Sequence, residues 1–157
     1  MELSEVILSR RAIRKYKTDP IPEEKLQKLY GALQAAPTAN NSQPFGFIFV
    51  KDAEKRRQIC AQACHQDFIA QAPVLVVAVC SNGAAFDAAI AMDHMSLAAT
   101  AEGLGTCWVG WYEKDVVKKL LGIPHGKDIA ILMPVGYPDE TPAPRPRKPV
   151  EELITIL

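Results

Sequence analysis

The sequence predicts one folded domain in which helices and strands are mixed, and both an α+β and an α/β arrangement fit the order of its elements. The length of 157 residues is typical of a single domain, here residues 1–157, with a sizeable core. Residues 73–80 form a continuous β-branched apolar run, which is typical of a strand buried on both faces. The alanine-rich stretch Ala84–Glu102 is long enough for an extended helix.

The first half is predicted to contain three helices, a polar loop and a strand. Leu3, Val6 and Ile7 have nearly helical spacing, so residues 2–10 are predicted as a helix. Proline and acids at residues 19–24 are typical of the start of a second helix. This helix is predicted to end at Pro37 and to bury Leu26, Leu29, Tyr30 and Leu33. A polar loop at 37–44, a strand at Phe45–Val50 and a helix at 53–65 are predicted after it.

The second half continues with the alanine-rich helix, three further elements and an arm. The expected core residues of the helix are Met92, Met95, Leu97, Ala98 and Ala99. Predicted after it are a strand at Thr106–Trp111, a helix at Glu113–Leu121 closed by Gly122, and an apolar strand at Ile129–Gly136. Five prolines make residues 138–157 an extended C-terminal arm. Its end (Val150, Leu153, Ile154, Ile156, Leu157) is too apolar for a free tail, and a partner subunit is one candidate to cover it.

Composition excludes several classes of function. Eighteen Lys and Arg balance eighteen Asp and Glu, so general electrostatic binding to nucleic acid or to an anionic membrane is not expected. The longest apolar run, residues 73–80, is too short to span a bilayer. No leader pattern is recognisable and the four cysteines show no CxxC spacing, so we expect a cytoplasmic protein without disulfides.

The balanced total conceals two basic clusters at opposite ends of the chain. One contains Arg10, Arg11, Arg14, Lys15 and Lys17, and the other contains Arg145, Arg147 and Lys148. Two solvated faces are one interpretation of such runs. The other is a single anion site assembled from both ends, because the planar guanidinium group binds phosphate oxygens in a bidentate manner. The sequence leaves both open.

Side-chain chemistry is sparse elsewhere. Gly103-Leu104-Gly105 begins like a dinucleotide fingerprint, but Trp108 stands where the third glycine belongs, so a helix terminator is favoured. Cys60, Cys64 and His65 could share a helix face, yet without a fourth ligand no metal site is predicted. No catalytic side chain stands out, which favours chemistry supplied by a cofactor.

Several segments, taken in order, are similar to motifs of the nitroreductase-family flavoproteins. The segment RRAIRKY at residues 10–16 resembles the family's RRSIRxF/Y opening, and APTANNSQPF at 36–45 resembles its APSAxNxQPW loop. Further matches are Ala72-Pro73, the segment GLGTCWVG at 103–110, the GYP turn at 136–138 and RPRKP at 145–149. The likeness covers nearly the whole chain, and the chain is identified as a short member of this family.

This resemblance implies a three-layer α-β-α fold of α+β class, with a mixed, mostly antiparallel sheet flanked by helices. It also implies an obligate, entwined homodimer in which the arm docks on the partner and FMN binds at the interface. NADH or NADPH would reduce the flavin, and a quinone, nitroaromatic or other conjugated small molecule would then be reduced. The flavin carries the chemistry, so no catalytic side chain is expected.

Roles for individual residues follow from the same resemblance. Arg10, Arg11 and Arg147, together with Arg145 or Lys148, would hold the phosphate and ribityl oxygens, and Arg14 would lie at the pyrimidine edge. The loop residues Pro37, Thr38, Ala39, Asn41 and Gln43 would come from the other subunit. Trp108 and Gly110 would lie along one flavin face. Trp108 and Trp111 are three residues apart, so on a strand their side chains point to opposite faces, and one of the two tryptophans is then a core residue. His65 and Gln66 are further candidates for the pyrimidine.

Three departures from the family pattern leave alternatives open. Ala12 replaces a serine, Phe45 replaces a tryptophan, and residues 80–87 are short where many relatives insert helices over the site. A more open flavin is compatible with a carrier or regulatory module without turnover. A specialised flavin dehalogenase or dehydrogenase is another alternative, and an anion-binding protein without flavin is the last.

Overall fold

The computed structural model describes residues 2–157, and within them it contains seven α-helices and four strands. The helices are α1 (Leu3–Ser9), α2 (Glu23–Gln34), α3 (Ala53–Ile59), α4 (Phe68–Gln71), α5 (Ala85–Ala101), α6 (Lys114–Leu121) and α7 (Val150–Leu153). The strands are β1 (Phe45–Val50), β2 (Val74–Ser81), β3 (Gly105–Thr106) and β4 (Lys127–Gly136). A 3₁₀ turn at Ala39–Asn41 and a π-helical turn at Cys60–Cys64 complete the set.

The four strands form one sheet in the order β1-β2-β4-β3, and all three ladders are antiparallel. A bulge between Ala78 and Val79 shifts the register of β2 against β4. A single parallel bridge, between Ala12 and Thr106, adds the N-terminal segment to the β3 edge. Antiparallel ladders joined by helices settle the fold class as α+β rather than α/β.

Helices cover both faces of the sheet, which gives three layers. Val76 and Ala78 of β2 point into one core, where they meet α2 and the alanine-rich α5. The alternate residues Leu75 and Val77 point into a second core with α3, α4 and α6. Since successive side chains of a strand face opposite ways, the continuous apolar run of β2 serves both cores, as the sequence predicts.

The strand predicted at Thr106–Trp111 is wrong in extent. The regular strand β3 comprises only Gly105 and Thr106, which pair with β4, and Val109 forms a separate bridge to Leu132. The two parts share one register, and the break lies where Cys107 would pair with Pro134. Proline has no N–H to complete that pair. Trp108 and Trp111 consequently lie outside a regular strand.

Burial along the helices also differs in places from the expectation. Leu97 and Ala98 of α5 are half-buried because they flank the fully buried stripe that contains Met92, Met95 and Ala99. Tyr30 is half-buried as well, since its ring stands edge-on against Phe49 at the sheet surface, with 4.8 Å between ring centroids.

The helix predicted at 53–65 changes to π-helical at Cys60–Cys64, and the short helix α4 was not predicted.

Two glycines permit the close approach of the N-terminal segment to the sheet. A Cβ on Gly136 would lie 2.5 Å from Cδ of Pro73 and 3.1 Å from the ring of Tyr16. A Cβ on Gly105 would lie 2.6 Å from Cγ1 of Ile13. These neighbours cannot move away without a loss of packing energy, because the prolyl ring of Pro73 is rigid and both Ile13 and Tyr16 are buried.

We expect Gly136→Ala to lower the free energy of unfolding by about 1–3 kcal/mol, since the added methyl overpacks the space between Pro73 and Tyr16. Gly31→Ala is the matched control: Gly31 lies exposed within α2 with no atom near the added Cβ, so this change should stabilise by about 0.5–1 kcal/mol. Denaturant unfolding measures both. Equal effects of the two substitutions would contradict the steric account.

Candidate active site

The basic segment at residues 10–17 is fixed to the β3 edge of the sheet. The main-chain N–H of Ile13 donates to the carbonyl of Thr106 at 2.9 Å, next to the parallel bridge between Ala12 and Thr106. Ile13 is buried, whereas Arg14 is exposed on the opposite side of the chain. The extended backbone therefore turns alternate side chains into the core and toward solvent.

The start of the C-terminal arm pairs with the same segment. The N–H of Lys17 donates to the carbonyl of Tyr137, and the N–H of Asp139 donates to the carbonyl of Lys15, each at 2.9 Å. The main-chain N–H of Arg14 donates to a carboxylate oxygen of Glu140. These bonds join the two ends of the chain.

The buried side chain of Tyr16 holds the basic segment in place. Its hydroxyl donates to the carbonyl of Ile13 at 2.7 Å and lies 3.4 Å from the carbonyl of Pro134. Burial raises the pKa of Tyr16 well above its ordinary value, with smaller contributions from Cys107 and Glu140. The side chain is thus a neutral hydrogen-bond donor that holds the backbone bearing the arginines.

The two basic clusters meet in one cavity of about 750 Å³. Its wall includes Arg10, Arg11 and Arg14 from the first cluster and Arg145 and Arg147 from the second, together with Ala12 and Glu140. Lys148 does not line it. Of the two interpretations that the sequence leaves open, this arrangement favours a single anion site, formed by the arginines of both clusters and without Lys15, Lys17 or Lys148 in its wall.

Most of these guanidinium groups are available to a ligand. Within residues 2–157, Arg10, Arg14, Arg145 and Arg147 form no ion pair. Arg11 is held in place, because its Nη1 donates to the carbonyls of Leu8 at 2.7 Å and Arg10 at 3.0 Å at the end of α1. Several arginines without carboxylate partners around one space provide the charge and the hydrogen-bond donors that bind phosphate.

The amide-rich loop lies apart from this cavity in the single chain. Thr38 Oγ1 accepts the N–H of Gln43 at 3.0 Å, and the side-chain amide of Gln43 donates to the carbonyl of Asn41 at 3.1 Å. Asn40, Asn41 and Gln43 have positive φ of 47–53°, which is uncommon for glutamine. Such held, unfavourable conformations concentrate at binding sites. Pro37 and Ala39 belong to the same loop and also do not line the cavity.

No residue of the segment Cys107–Trp111 lines the arginine cavity, although the charges of Arg10 and Arg14 reach the thiol of Cys107. Trp108 is 36% exposed and Trp111 is 85% exposed, so neither is a core residue of this chain. Gly110 is also exposed, and a Cβ there would meet only Ile131, at an ordinary 3.8 Å. Among residues 2–157 no neighbouring atom requires a glycine at this position.

The π-helical turn ends at His65, which has a left-handed conformation and is exposed. Cys60 and Cys64 are buried, and burial raises the pKa of Cys64 to about 12, so this thiol is inert at neutral pH. In residues 2–157 no three His, Cys, Asp or Glu side chains are grouped as metal ligands. The N–H of Glu113 donates to the carbonyl of Ala63 and ties this turn to the segment that follows Trp111.

The sequence patterns predict no role for Tyr16 or Glu140, although both side chains form hydrogen bonds with the backbone of the basic segment. The position of Tyr16, an apolar ring among exposed cations, is only a weak indication that its side chain is buried. No local pattern indicates the bond of Glu140, because Arg14 lies 126 positions away in the chain.

Comparison with known proteins gives matches over almost the whole chain. The chain matches the family described as "Putative TM nitroreductase" over residues 2–156. It is 31% identical over 156 residues to the "Putative NADH dehydrogenase/NAD(P)H nitroreductase" of Methanothermobacter thermautotrophicus, covering 92% of this chain and 82% of that protein. The chain belongs to the nitroreductase family.

Two solved structures support the same assignment of the fold. The FMN-dependent nitroreductase of Clostridium difficile R20291 superposes with a TM-score of 0.81 at 27% identity, covering 87% of this chain and 88% of that one. The NADPH:FMN oxidoreductase of Vibrio harveyi, complexed with NAD+, gives a TM-score of 0.91 at 27% identity, with coverages of 98% and 76%. The expected nitroreductase fold is confirmed. In the part of the chain that the structure describes, none of the helices is long and apolar enough to cross a membrane.

We expect Tyr16→Phe to lower the free energy of unfolding by about 1–2 kcal/mol at neutral pH, because the buried carbonyl of Ile13 loses its donor. Tyr30→Phe is the control, since the hydroxyl of Tyr30 donates no hydrogen bond to the described residues. In wild type the raised pKa of Tyr16 means that the unfolded chain releases this proton first. The free energy of unfolding therefore falls as pH rises above the ordinary value of 10.0.

The substitution should make that alkaline fall less steep. Part of it should remain, because burial also raises the pKa of Tyr112, to about 12. Urea unfolding at neutral pH and at about pH 10–11 measures both effects. An unchanged alkaline slope in Tyr16→Phe would show that this phenol is not the group responsible.

Proposed function

We propose that this chain is an FMN-dependent NAD(P)H oxidoreductase that reduces a quinone, a nitroaromatic or another conjugated small molecule. The observation that carries the proposal is the cavity in which arginines from both ends of the chain converge. When bound, FMN supplies the redox chemistry, since it accepts a hydride from NADH or NADPH and gives two electrons to the acceptor. The names of the relatives, an NAD(P)H nitroreductase and an NADPH:FMN oxidoreductase, support this reaction.

The cavity fits the phosphate end of FMN in size and charge. A volume of about 750 Å³ is within the range of small-molecule sites. The phosphate monoester is close to dianionic at neutral pH, and Arg10, Arg11, Arg145 and Arg147 supply donors that no carboxylate in residues 2–157 pairs with. Arg11 is already oriented by two carbonyls, so less side-chain entropy is lost when it binds.

The remaining residues orient the ring system and set its electrostatics. In the proposal Arg14 places a cation near the pyrimidine edge, where negative charge develops on hydride transfer. Ala12 lines the same cavity with no hydroxyl to donate. Trp108 and the exposed Gly110 would lie along one face of the ring, since the missing side chain of Gly110 permits close approach. No side-chain acid or base is required.

The loop with Pro37, Thr38, Ala39, Asn41 and Gln43 completes the site from a second subunit. This assignment is supported by its distance from the arginine cavity in one chain and by its unusual backbone. Its amides pair with the edges of the ring without adding charge. We accordingly propose a homodimer with two sites, acting in the cytoplasm.

The apolar surface of the single chain supports the dimer. Leu3, Ile7 and Leu8 of α1 are exposed, and only Val6 of that helix is buried. The tail carries a second apolar set, all more than half exposed: Val150, Leu153, Ile154, Ile156 and Leu157. Exposed apolar area of this extent needs a covering surface. In the proposal the first part of the arm 138–157 stays on its own chain, where it pairs with the basic segment, and the apolar end of the arm docks on the partner.

The first test is the absorbance of purified protein after FMN has been added and the excess removed. We expect flavin bands equivalent to one FMN per chain, and bleaching of these bands by NADH or NADPH without oxygen. Retained flavin that neither nicotinamide reduces would favour a carrier without turnover. A folded protein that retains no flavin would contradict the proposal.

Substitutions locate the site. Arg10→Ala and Arg147→Ala should each weaken FMN binding by about ten- to a hundredfold, since each removes a charge-assisted hydrogen bond of about 1.5–3 kcal/mol. Arg57→Ala is matched in residue type and charge, but Arg57 lies on α3, pairs with Glu54 at 2.7 Å and does not line the cavity. Quenching of FMN fluorescence measures the affinities. Equal losses in all three variants would mean that the arginines act only through net charge.

The dimer is tested at the tail. We expect the double variant Leu153→Ser and Ile156→Ser to raise the dimer dissociation constant at least tenfold, because it removes apolar area from the interface. The matched control, Glu151→Ser with Glu152→Ser, changes the same exposed segment without removing apolar area. Sedimentation velocity over a range of concentrations distinguishes them. A monomeric wild type would contradict the homodimer, and an unaffected double variant would contradict the role of the tail.

A further inference from the structure

Glu140 occupies an unusual position for an acid. It is half-buried at the start of the arm and is the one carboxylate among the described residues that line the arginine cavity. It also lines a second cavity of about 450 Å³, and Arg11, Pro142 and Pro144 are shared by the two cavities as well. Glu140 therefore belongs to the wall of the site proposed for a dianion.

The carboxylate is engaged by backbone and not by the arginine side chains. Its Oε1 accepts the main-chain N–H of Arg14. It forms no ion pair within residues 2–157, although five guanidinium groups share its cavity. The charge of Glu140 nevertheless acts on neighbouring groups. Burial raises the pKa of the Cys107 thiol, the cations Arg14 and Arg10 lower this pKa, and the negative charge of Glu140 raises it further.

A main-chain N–H beside unpaired arginines would be a donor for an anion. Glu140 already occupies this donor at Arg14, so a phosphate group cannot use it. The unit negative charge also repels a second anion at this end of the cavity. The same cavity is also lined by Arg10, Arg11, Arg145 and Arg147, and no carboxylate in residues 2–157 forms an ion pair with any of these four side chains.

We propose that Glu140 is a positioning residue that divides the cavity into a phosphate end and a flavin-ring end. It does so by holding the backbone of Arg14 and by making that end unfavourable for a dianion. The inference rests on the proposed function. Its consequences are that the phosphate is directed toward Arg10 and Arg147, and that FMN binds less tightly than five arginines would allow.

Glu140→Gln separates charge from structure, because the amide oxygen still accepts the N–H of Arg14. We expect this variant to bind FMN about three- to tenfold more tightly than wild type at low salt, because one charge that repels the dianion is removed from a partly solvated site. The gain should shrink at about 0.5 M salt, where such interactions are screened. The flavin midpoint potential should become more positive, since a nearby negative charge opposes reduction.

Glu140→Ala removes the acceptor as well as the charge. We expect it to lower the melting temperature and to lose the tighter binding, because the backbone of Arg14 is no longer held. Asp139→Asn is the matched control: it removes the same charge one residue away, but Asp139 pairs with Lys15 at 3.8 Å and does not line the cavity. Its FMN affinity should stay within twofold of wild type.

The outcomes separate this inference from the function on which it rests. If Glu140→Gln binds FMN no more tightly than wild type, or if Asp139→Asn gains equally, Glu140 does not divide the cavity. If wild type binds no FMN, the proposed function fails, and inorganic phosphate becomes the probe. A larger thermal stabilisation by phosphate in Glu140→Gln than in wild type and Asp139→Asn then supports the electrostatic role, and equal stabilisation overturns it.

Discussion

The pairing of the N-terminal basic segment with the start of the C-terminal arm is the constraint on which the candidate site depends. Three main-chain hydrogen bonds attach residues 13–17 to Thr106, Tyr137 and Asp139. Without them the two clusters would be separate charged surfaces on a protein of zero net charge. Gly105 and Gly136 permit this arrangement, because a Cβ on Gly105 would collide with the side chain of Ile13 and one on Gly136 would collide with Pro73 and crowd the ring of Tyr16. The geometry of the arginines is thus a consequence of sheet packing.

Bringing five arginines to one cavity has an energetic cost for the ligand-free chain. Like charges repel, and within residues 2–157 the only acid lining the same space is Glu140, which is bound to backbone. A dianionic ligand relieves that repulsion, so its binding free energy adds to the stability of the fold by mass action. The same bonds that fix the arginines therefore couple the folding of both chain ends to occupation of the cavity.

Much of the fold follows from local pattern. β1 has the predicted bounds, β2 carries its apolar run into both cores, and α6 ends at Gly122 with a left-handed φ of 66°. Features that depend on distant partners could not be predicted from pattern. The strand after Gly105 stops because Pro134, on the neighbouring strand, has no N–H, and the convergence of the clusters depends on contacts across 126 positions. Motif resemblance assigned the arginines to one site; periodicity and composition left that open.

A single chain contains the parts of the candidate site in different places, and this distribution argues for assembly. The arginine cavity is complete within one subunit, whereas the amide-rich loop, Trp108 and Gly110 lie outside it. Gly110 has space that its own chain does not use, and the apolar tail has area that its own chain does not cover. One second copy can meet both needs, because a two-fold arrangement supplies each missing surface twice. In the proposed dimer the phosphate contacts and the Arg14 contact to the ring come from one chain, whereas the loop contacts to the ring come from the second, so phosphate binding tolerates subunit separation better than redox activity does.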